Sequence, residues 1–210
     1  KKAFGQDVPP REGRADSVAM FVDVASFSLR IKGLQPEQVR QFLARFYKSA
    51  IKAIDDRLGL IDRIVGDGIL AVFSPFLIPQ LQKESIAALH ALNTAEAIIQ
   101  ELHGSECESK AAIGCGSLLF CNTGLAGVYT DYTVLGHPLT HVYRMEEVAS
   151  ANQVIVPKNS PAGAIIADQL ERNRNRTAPP AKPIRWTVDE KNTPLRGAED
   201  LGTLYVQTYR

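Results

Sequence analysis

The chain has 210 residues, 45 % of them hydrophobic and 22 % charged, with a formal net charge of +1. Such a length suits one domain with an ample core. A charge this close to zero excludes the broad basic field that nucleic acid or an anionic membrane surface requires, so any anionic ligand must be held by a few placed groups or a metal.

Residues 1–16 are polar, carry Pro9-Pro10 and are expected to form a flexible lead-in to a domain over 17–210. The first residue is Lys1, with no apolar signal-peptide core behind it, and no apolar run reaches the ~20 residues that span a bilayer. The expectation is a cytoplasmic protein without membrane or nucleic-acid partners. Ser17 to Asp23 is a short apolar run ending in a carboxylate, the pattern of a buried strand with an acid at its C-terminal end. From Pro36 to Leu58 the apolar residues Val39, Phe42, Leu43, Phe46, Ala50, Ile51 and Ile54 fall at helical spacing, with Gly59 as the stop.

Two apolar runs, 60–65 and 69–73, flank Gly66-Asp67-Gly68 and predict a hairpin. A second helix is predicted over 82–102, strands over 111–121 and 129–135, a shorter helix over 138–149 and a strand over 153–156. After Pro157 the pattern loosens, and Arg172 to Arg176 with Pro179-Pro180 reads as a solvated loop. A strand pair, 184–188 and 203–209, closes the chain around Leu195-Arg196-Gly197. This order predicts an α+β, ferredoxin-like (split βαβ) architecture, an antiparallel-rich sheet with helices on one face. Cys107, Cys115 and Cys121 form no CxxC motif and are expected to be reduced.

Two acids stand out by position: Asp23 at the end of the first strand and Asp67 in the tight turn of the hairpin. If those strands are neighbours, the carboxylates converge at one edge of the sheet. Converging carboxylates without His or Cys companions favour hard ions such as Mg²⁺ or Mn²⁺, and two such ions can clamp a phosphoryl transfer. For Asp67 by itself, ordinary turn chemistry is an equal reading, because Asp-Gly is a favoured turn dipeptide.

Four segments carry a resemblance. Phe21-Val22-Asp23-Val24-Ala25-Ser26-Phe27-Ser28 resembles the F-x-D-I-x-G-F-T motif of class III nucleotidyl cyclase domains, and residues 63–73 resemble their K-x-x-G-D-x-x-x-A-V-F motif. Asp131-Tyr132-Thr133 with Gly136, followed by Arg144-Met145-Glu146, resembles D-Y-T-x-x-G … R-x-E. Leu195-Arg196-Gly197 with Leu204-Tyr205-Val206 resembles the terminal L-K-G … V-Y-x-V hairpin. The segments occur in family order and cover roughly residues 17–208.

The resemblance implies cyclisation of a nucleoside triphosphate, by attack of the ribose 3′-oxygen on the α-phosphorus with loss of pyrophosphate. It implies that Asp23, Asp67 and the Val24 carbonyl hold two divalent cations, Mg²⁺ or Mn²⁺. The backbone amides of Val24, Ala25, Ser26, Phe27 and Ser28 would cradle phosphates. Arg144 would steady charge in the transition state, and Arg196 would bind triphosphate. Thr140, where the family has Asn, lies one helical turn before Arg144 and would reach ribose or phosphate with its hydroxyl. In the family the metal acids come from one chain and the base-reading and transition-state groups from its partner, so a homodimer with composite sites is implied.

Arg63 stands where the family places Lys for adenine or Glu for guanine, with Thr133 as its partner position. Guanidinium donates and accepts nothing, which argues against GTP; its bulk narrows an adenine pocket and leaves room for a one-ring base. Uracil would offer carbonyls to Arg63 and its N3–H to Thr133. The resemblance therefore runs closest to the pyrimidine cyclases of Pycsar anti-phage systems, with UTP expected ahead of CTP or ATP and cyclic UMP as the messenger. The alternatives are an adenylate cyclase making cyclic AMP, and a degenerate domain that binds nucleotide or dimerises without catalysis.

Overall fold

The computed structural model describes residues 2–3, 6–7, 11–175, 185–192 and 194–210. An eight-stranded sheet forms the body. Its strands are β1 (Gly13–Val24), β2 (Leu60–Val65), β3 (Gly68–Phe73), β4 (Ser109–Leu125), β5 (Tyr129–Leu135), β6 (Gln153–Pro157), β7 (Trp186–Asn192) and β8 (Thr203–Tyr209). The helices are α1 (Phe27–Arg30), α2 (Pro36–Asp55), α3 (Glu84–Leu102), α4 (His137–Glu147) and α5 (Pro161–Arg174).

The first four long strands lie in the order β2-β3-β1-β4, every neighbour antiparallel. That is the split βαβ arrangement expected from the strand–helix–hairpin–helix–strand sequence. Beyond β4 come β6, paired in parallel, then β8 and β7, both antiparallel; β5 forms a hairpin with the far half of β4.

Residues alternate across β1 and sort into two cores. Val18, Met20, Val22 and Val24 face a large core shared with Phe42, Phe46 and Ile54 of α2, Leu92, Ile98 and Ile99 of α3, and Ile166 of α5. Ala19 and Phe21 face a smaller core with Val142 and Met145 of α4 and Leu195, Ala198 and Leu201 of the β7–β8 connection. The expectation of helices on one face therefore holds for α2, α3 and α5 and is corrected by α4, which covers the other face. An apolar stripe dictates that a helix packs on a sheet but not on which side.

Other boundaries also move. β1 begins at Gly13, and Arg11 stacks its guanidinium 4.5 Å from the Phe76 ring centroid, so residues 11–16 belong to the domain rather than to a lead-in. α5 forms where the sequence pattern loosens, and its last residues, 172–174, fall in the segment predicted as loop. Ser160 caps it by accepting from the Gly163 amide at 3.0 Å, Pro161 opens its first turn, and Arg172 and Arg174 close its last. Ile184, Arg176 and Pro179-Pro180, which belong to the predicted strand and loop, lie outside the described residues. Among the described residues no helix is long and apolar enough to cross a membrane, and all three cysteines are free.

Candidate active site

Asp23 is the penultimate residue of β1 and sits opposite Gly68 of β3 on one side and Lys110 of β4 on the other. Asp67 occupies the two-residue turn between β2 and β3, with Gly66 at φ 57 supplying the left-handed backbone that the turn needs. The Tyr47 hydroxyl of α2 donates to the Gly66 carbonyl and ties the turn to the helix. Gly68 follows because nothing larger fits: a Cβ there would stand 2.3 Å from Cζ of Phe21. The sheet register thus brings the two acids together, in keeping with their positions in the sequence.

Their electrostatics are those of a site short of positive charge. Burial, and then the hydrogen bond and like charge of Asp67, push the Asp23 carboxyl up from 3.8 to about 8, with Glu146 adding to the effect. Glu146 reaches the pair from the buried face of α4 and is itself held by Lys110, whose Nζ is 2.6 Å from Oε1. Sequence reasoning singles out neither Glu146 nor Lys110 as a site residue, although Glu146 closes the R-x-E segment. Among the described residues no three His, Cys, Asp or Glu side chains form a ready-made metal cage. The donors present are all oxygens, and two carboxylates forced together are relieved by a hard divalent cation between them. The residues fit such an ion.

The segment after Asp23 turns sharply. Ser26 takes the left-handed conformation at φ 57 and leads into the single turn of α1. Arg30 pins this turn: Nε donates to the Ala25 carbonyl at 2.7 Å, Nη1 to the Glu106 carbonyl at 2.9 Å, and Nη2 to Glu108 at 3.1 Å. The Ala25 amide is committed to the Glu108 carbonyl at 2.8 Å, which removes it from the expected phosphate cradle. Ser26, Phe27 and Ser28 remain at the start of the turn, where amides have no partner within the helix.

Thr140 and Arg144 lie on the outer side of α4, one turn apart, and Arg144 donates to Glu147 at 2.9 Å. Neither is hydrogen-bonded to Asp23 or Asp67 among the described residues. Arg196 is exposed in the β7–β8 connection, whose Leu195 and Ala198 pack beneath α4. His141 of α4 approaches Asp200 of the same connection at 3.3 Å.

Arg63 and Thr133 do meet: the Arg63 Nη2 donates to Thr133 Oγ1. β2 and β5 are separated in the sheet by β3, β1 and β4, so a flat sheet would hold them about 19 Å apart. The contact therefore requires the sheet to curl at this end. Thr133 is 4 % exposed and its hydroxyl is engaged, so the free Thr hydroxyl expected to face a base is not what the structure presents. The third member of the cluster, Asp62, escapes the sequence reading: it accepts from Arg63 Nε at 2.8 Å.

Comparison with known proteins agrees with this architecture. No family model matches the chain. The adenylyl cyclase CyaB of P. aeruginosa superposes with a TM-score of 0.73 at 18 % identity, over 95 % of this chain and 97 % of that one. The guanylyl cyclase domain of RhGC from Catenaria anguillulae, solved with GTP, gives 0.70 at 14 % identity over 94 % and 99 %. The guanylyl cyclase Cya2 gives 0.66 at 22 % identity over 94 % and 93 %. The fold is thus that of adenylyl and guanylyl cyclase catalytic domains. Among curated sequences, the uncharacterized proteins Rv1319c and Rv1320c of Mycobacterium tuberculosis are 25 % and 26 % identical over 95 % and 93 % of this chain. The chain spans about a third of the length of each.

Proposed function

We propose that this chain is a nucleotidyl cyclase domain that converts a nucleoside triphosphate to a 3′,5′-cyclic nucleotide and pyrophosphate. The observation that carries the reading is the convergence of Asp23 and Asp67 at one end of a cyclase-type sheet. Asp23, Asp67 and the Val24 carbonyl would hold divalent cations, Mg²⁺ or Mn²⁺. Bound there, such ions neutralise triphosphate charge and make the ribose 3′-hydroxyl easier to deprotonate.

The remaining work falls to the chain itself. The amides of Ser26, Phe27 and Ser28 bind phosphate oxygens at a turn that Arg30 holds rigid. The 3′-oxygen forms its bond to the α-phosphorus while the bond to the β-phosphate oxygen breaks, and the 3′-proton leaves to solvent. Arg144 and Arg196 offset the charge that gathers on the departing pyrophosphate, and Thr140 orients the ribose. Because Thr140 and Arg144 lie on the outer side of α4, they serve the acids of a second copy, and the enzyme is a homodimer with shared sites. Leu125, Val128 and Tyr129 on the β4–β5 hairpin are 66–79 % exposed and supply apolar surface for that pairing.

Arg63 favours a base that presents acceptors, and the reading extends to UTP as substrate and cyclic UMP as an anti-phage messenger of the Pycsar type. Purified protein given ATP, GTP, CTP and UTP separately with Mn²⁺, its products resolved by chromatography, is expected to yield cyclic UMP. Cyclic AMP as main product would replace the pyrimidine reading with an adenylate cyclase. No cyclic product from any nucleotide would leave a non-catalytic domain.

A further inference from the structure

β2 carries an irregularity that neither the hairpin nor the metal acids require. Ile61 pairs with Ala71 and Arg63 with Leu70, so one residue, Asp62, is inserted as a bulge. The bulge sends Ile61 toward the large core and Arg63 toward the α4 face, and it sets the Asp62 carboxylate beside the guanidinium. Asp62 has a side chain only 1 % exposed, yet its neighbour Arg63 is 43 % exposed.

The three side chains close on one another. Arg63 donates through Nε to Asp62 Oδ2 at 2.8 Å and through Nη2 to Thr133 Oγ1. The Thr133 hydroxyl donates in turn to Asp62 Oδ2 at 3.3 Å. Asp62 is thus the acceptor for both partners, and each partner also holds the other. A free arginine gives up rotamer entropy when it is held in one geometry. Here that entropy is surrendered before any ligand arrives, and among the described residues what remains open is the Nη1 edge of the guanidinium. This edge offers donors only, because the carboxylate that could accept is buried beneath it.

We infer that Asp62 is a positioning residue for base selection, locking Arg63 so that its open edge presents Nη1–H donors to the nucleotide. A base that turns a carbonyl toward Arg63, as uracil does with O4, gains a charge-assisted hydrogen bond. A base that turns an amino group there, as cytosine does with N4, meets donor against donor. The inference rests on the proposed nucleotide site but not on turnover.

Equilibrium binding separates the two. The purified chain is titrated calorimetrically with 3′-deoxy-UTP and 3′-deoxy-CTP in Mn²⁺, probes that lack the attacking hydroxyl and cannot be cyclised. The wild type is expected to prefer the uridine probe by about tenfold or more. Asp62→Ala should bring that preference to about twofold or less, with Thr133→Val and Asp62→Asn falling between. A role confined to clasping the curled sheet would lower the melting temperature and weaken both probes equally, leaving the ratio intact. An intact ratio in Asp62→Ala overturns the inference even where the wild type makes cyclic UMP. Should Asp62→Ala fail to fold, an unchanged ratio in both milder variants overturns it equally. A wild type that binds neither probe, or both alike, also overturns it. Discrimination that is lost in the variants supports it, even if no cyclic product forms and the cyclase reading falls.

Discussion

The two faces of β1 are built from alternate residues of one strand, and they behave as different materials. Toward α2 and α3 the strand presents Val18, Met20, Val22 and Val24, all 0–1 % exposed and surrounded by apolar side chains. Toward α4 it presents Ala19, Phe21 and finally Asp23, under a thin cover of one helix and a connecting segment. The first face has no polar demands and can be packed for stability. The second carries three carboxylates and a lysine, whose burial costs free energy. Stability and chemistry are therefore separated by the pleat of a single strand.

Removing a carboxylate from the thin face is the sharpest way to break that comparison. Asp67→Ala should lower the cyclisation rate by at least about a thousandfold, because no other side chain at the turn can replace the donor. Its melting temperature, in the absence of metal and above about pH 8 where Asp23 is ionised, should hold or rise, since Asp23 loses a like-charged neighbour. An Asp67→Ala protein with a collapsed melting transition would show the acids to be structural. Arg144→Ala should be equally inactive. Mixed in equal amounts, the two variants should recover about a quarter of the wild-type rate, because half of the dimers are mixed and each has one intact site of two. Absence of recovery would place both groups in one protomer's site.

The thick face predicts the opposite signature. Phe46 is fully buried between α2 and the sheet, and Phe46→Ala should cost about 3–5 kcal/mol of stability in chemical denaturation. Cyclase activity per folded molecule should stay within about twofold of wild type, because the mutation leaves the α4 face untouched. A specific loss of turnover in folded protein would mean that the two faces are mechanically coupled.

How much of this is legible in the chain follows the same division. The apolar run that ends in Asp23 and the Gly-Asp-Gly turn are local patterns, and such patterns suffice to locate both acids. The side of the sheet that α4 covers is not legible, because its stripe of Pro138, Val142 and Met145 would suit either face. α5 is hidden by Gly163, where an added Cβ would stand 2.3 Å from the Lys158 carbonyl oxygen, so the glycine serves packing rather than helix propensity. Asp62 is hidden for a subtler reason. A strand pattern assigns alternate residues to alternate faces, and a one-residue bulge is the event that such a pattern cannot contain. Lys110 and Glu146 are far apart in sequence, and only the register between β1 and β4 and the packing of α4 bring them to Asp23.

The smallest expected effect tests how much the thin face costs when it carries no ion. Folded Asp23 keeps its proton up to about pH 8, whereas the unfolded chain releases it near 3.8. Between those values the folded protein holds more protons than the unfolded one, so raising the pH removes stability. The contribution is complete below about 3.8 and is lost as the pH climbs through about 8. In chelator, the melting temperature should fall by about 5–10 °C between pH 6 and pH 8.5 because of this group, and Asp23→Asn should flatten that slope. Added Mn²⁺ should reverse the loss and do so more strongly at pH 8.5, since the ion binds the carboxylate only once the proton has left. A slope that survives Asp23→Asn would place the destabilising titration elsewhere. It would also mean that the acids at the end of β1 are held apart in solution, so that the thin face differs from the thick one in cover but not in stored charge.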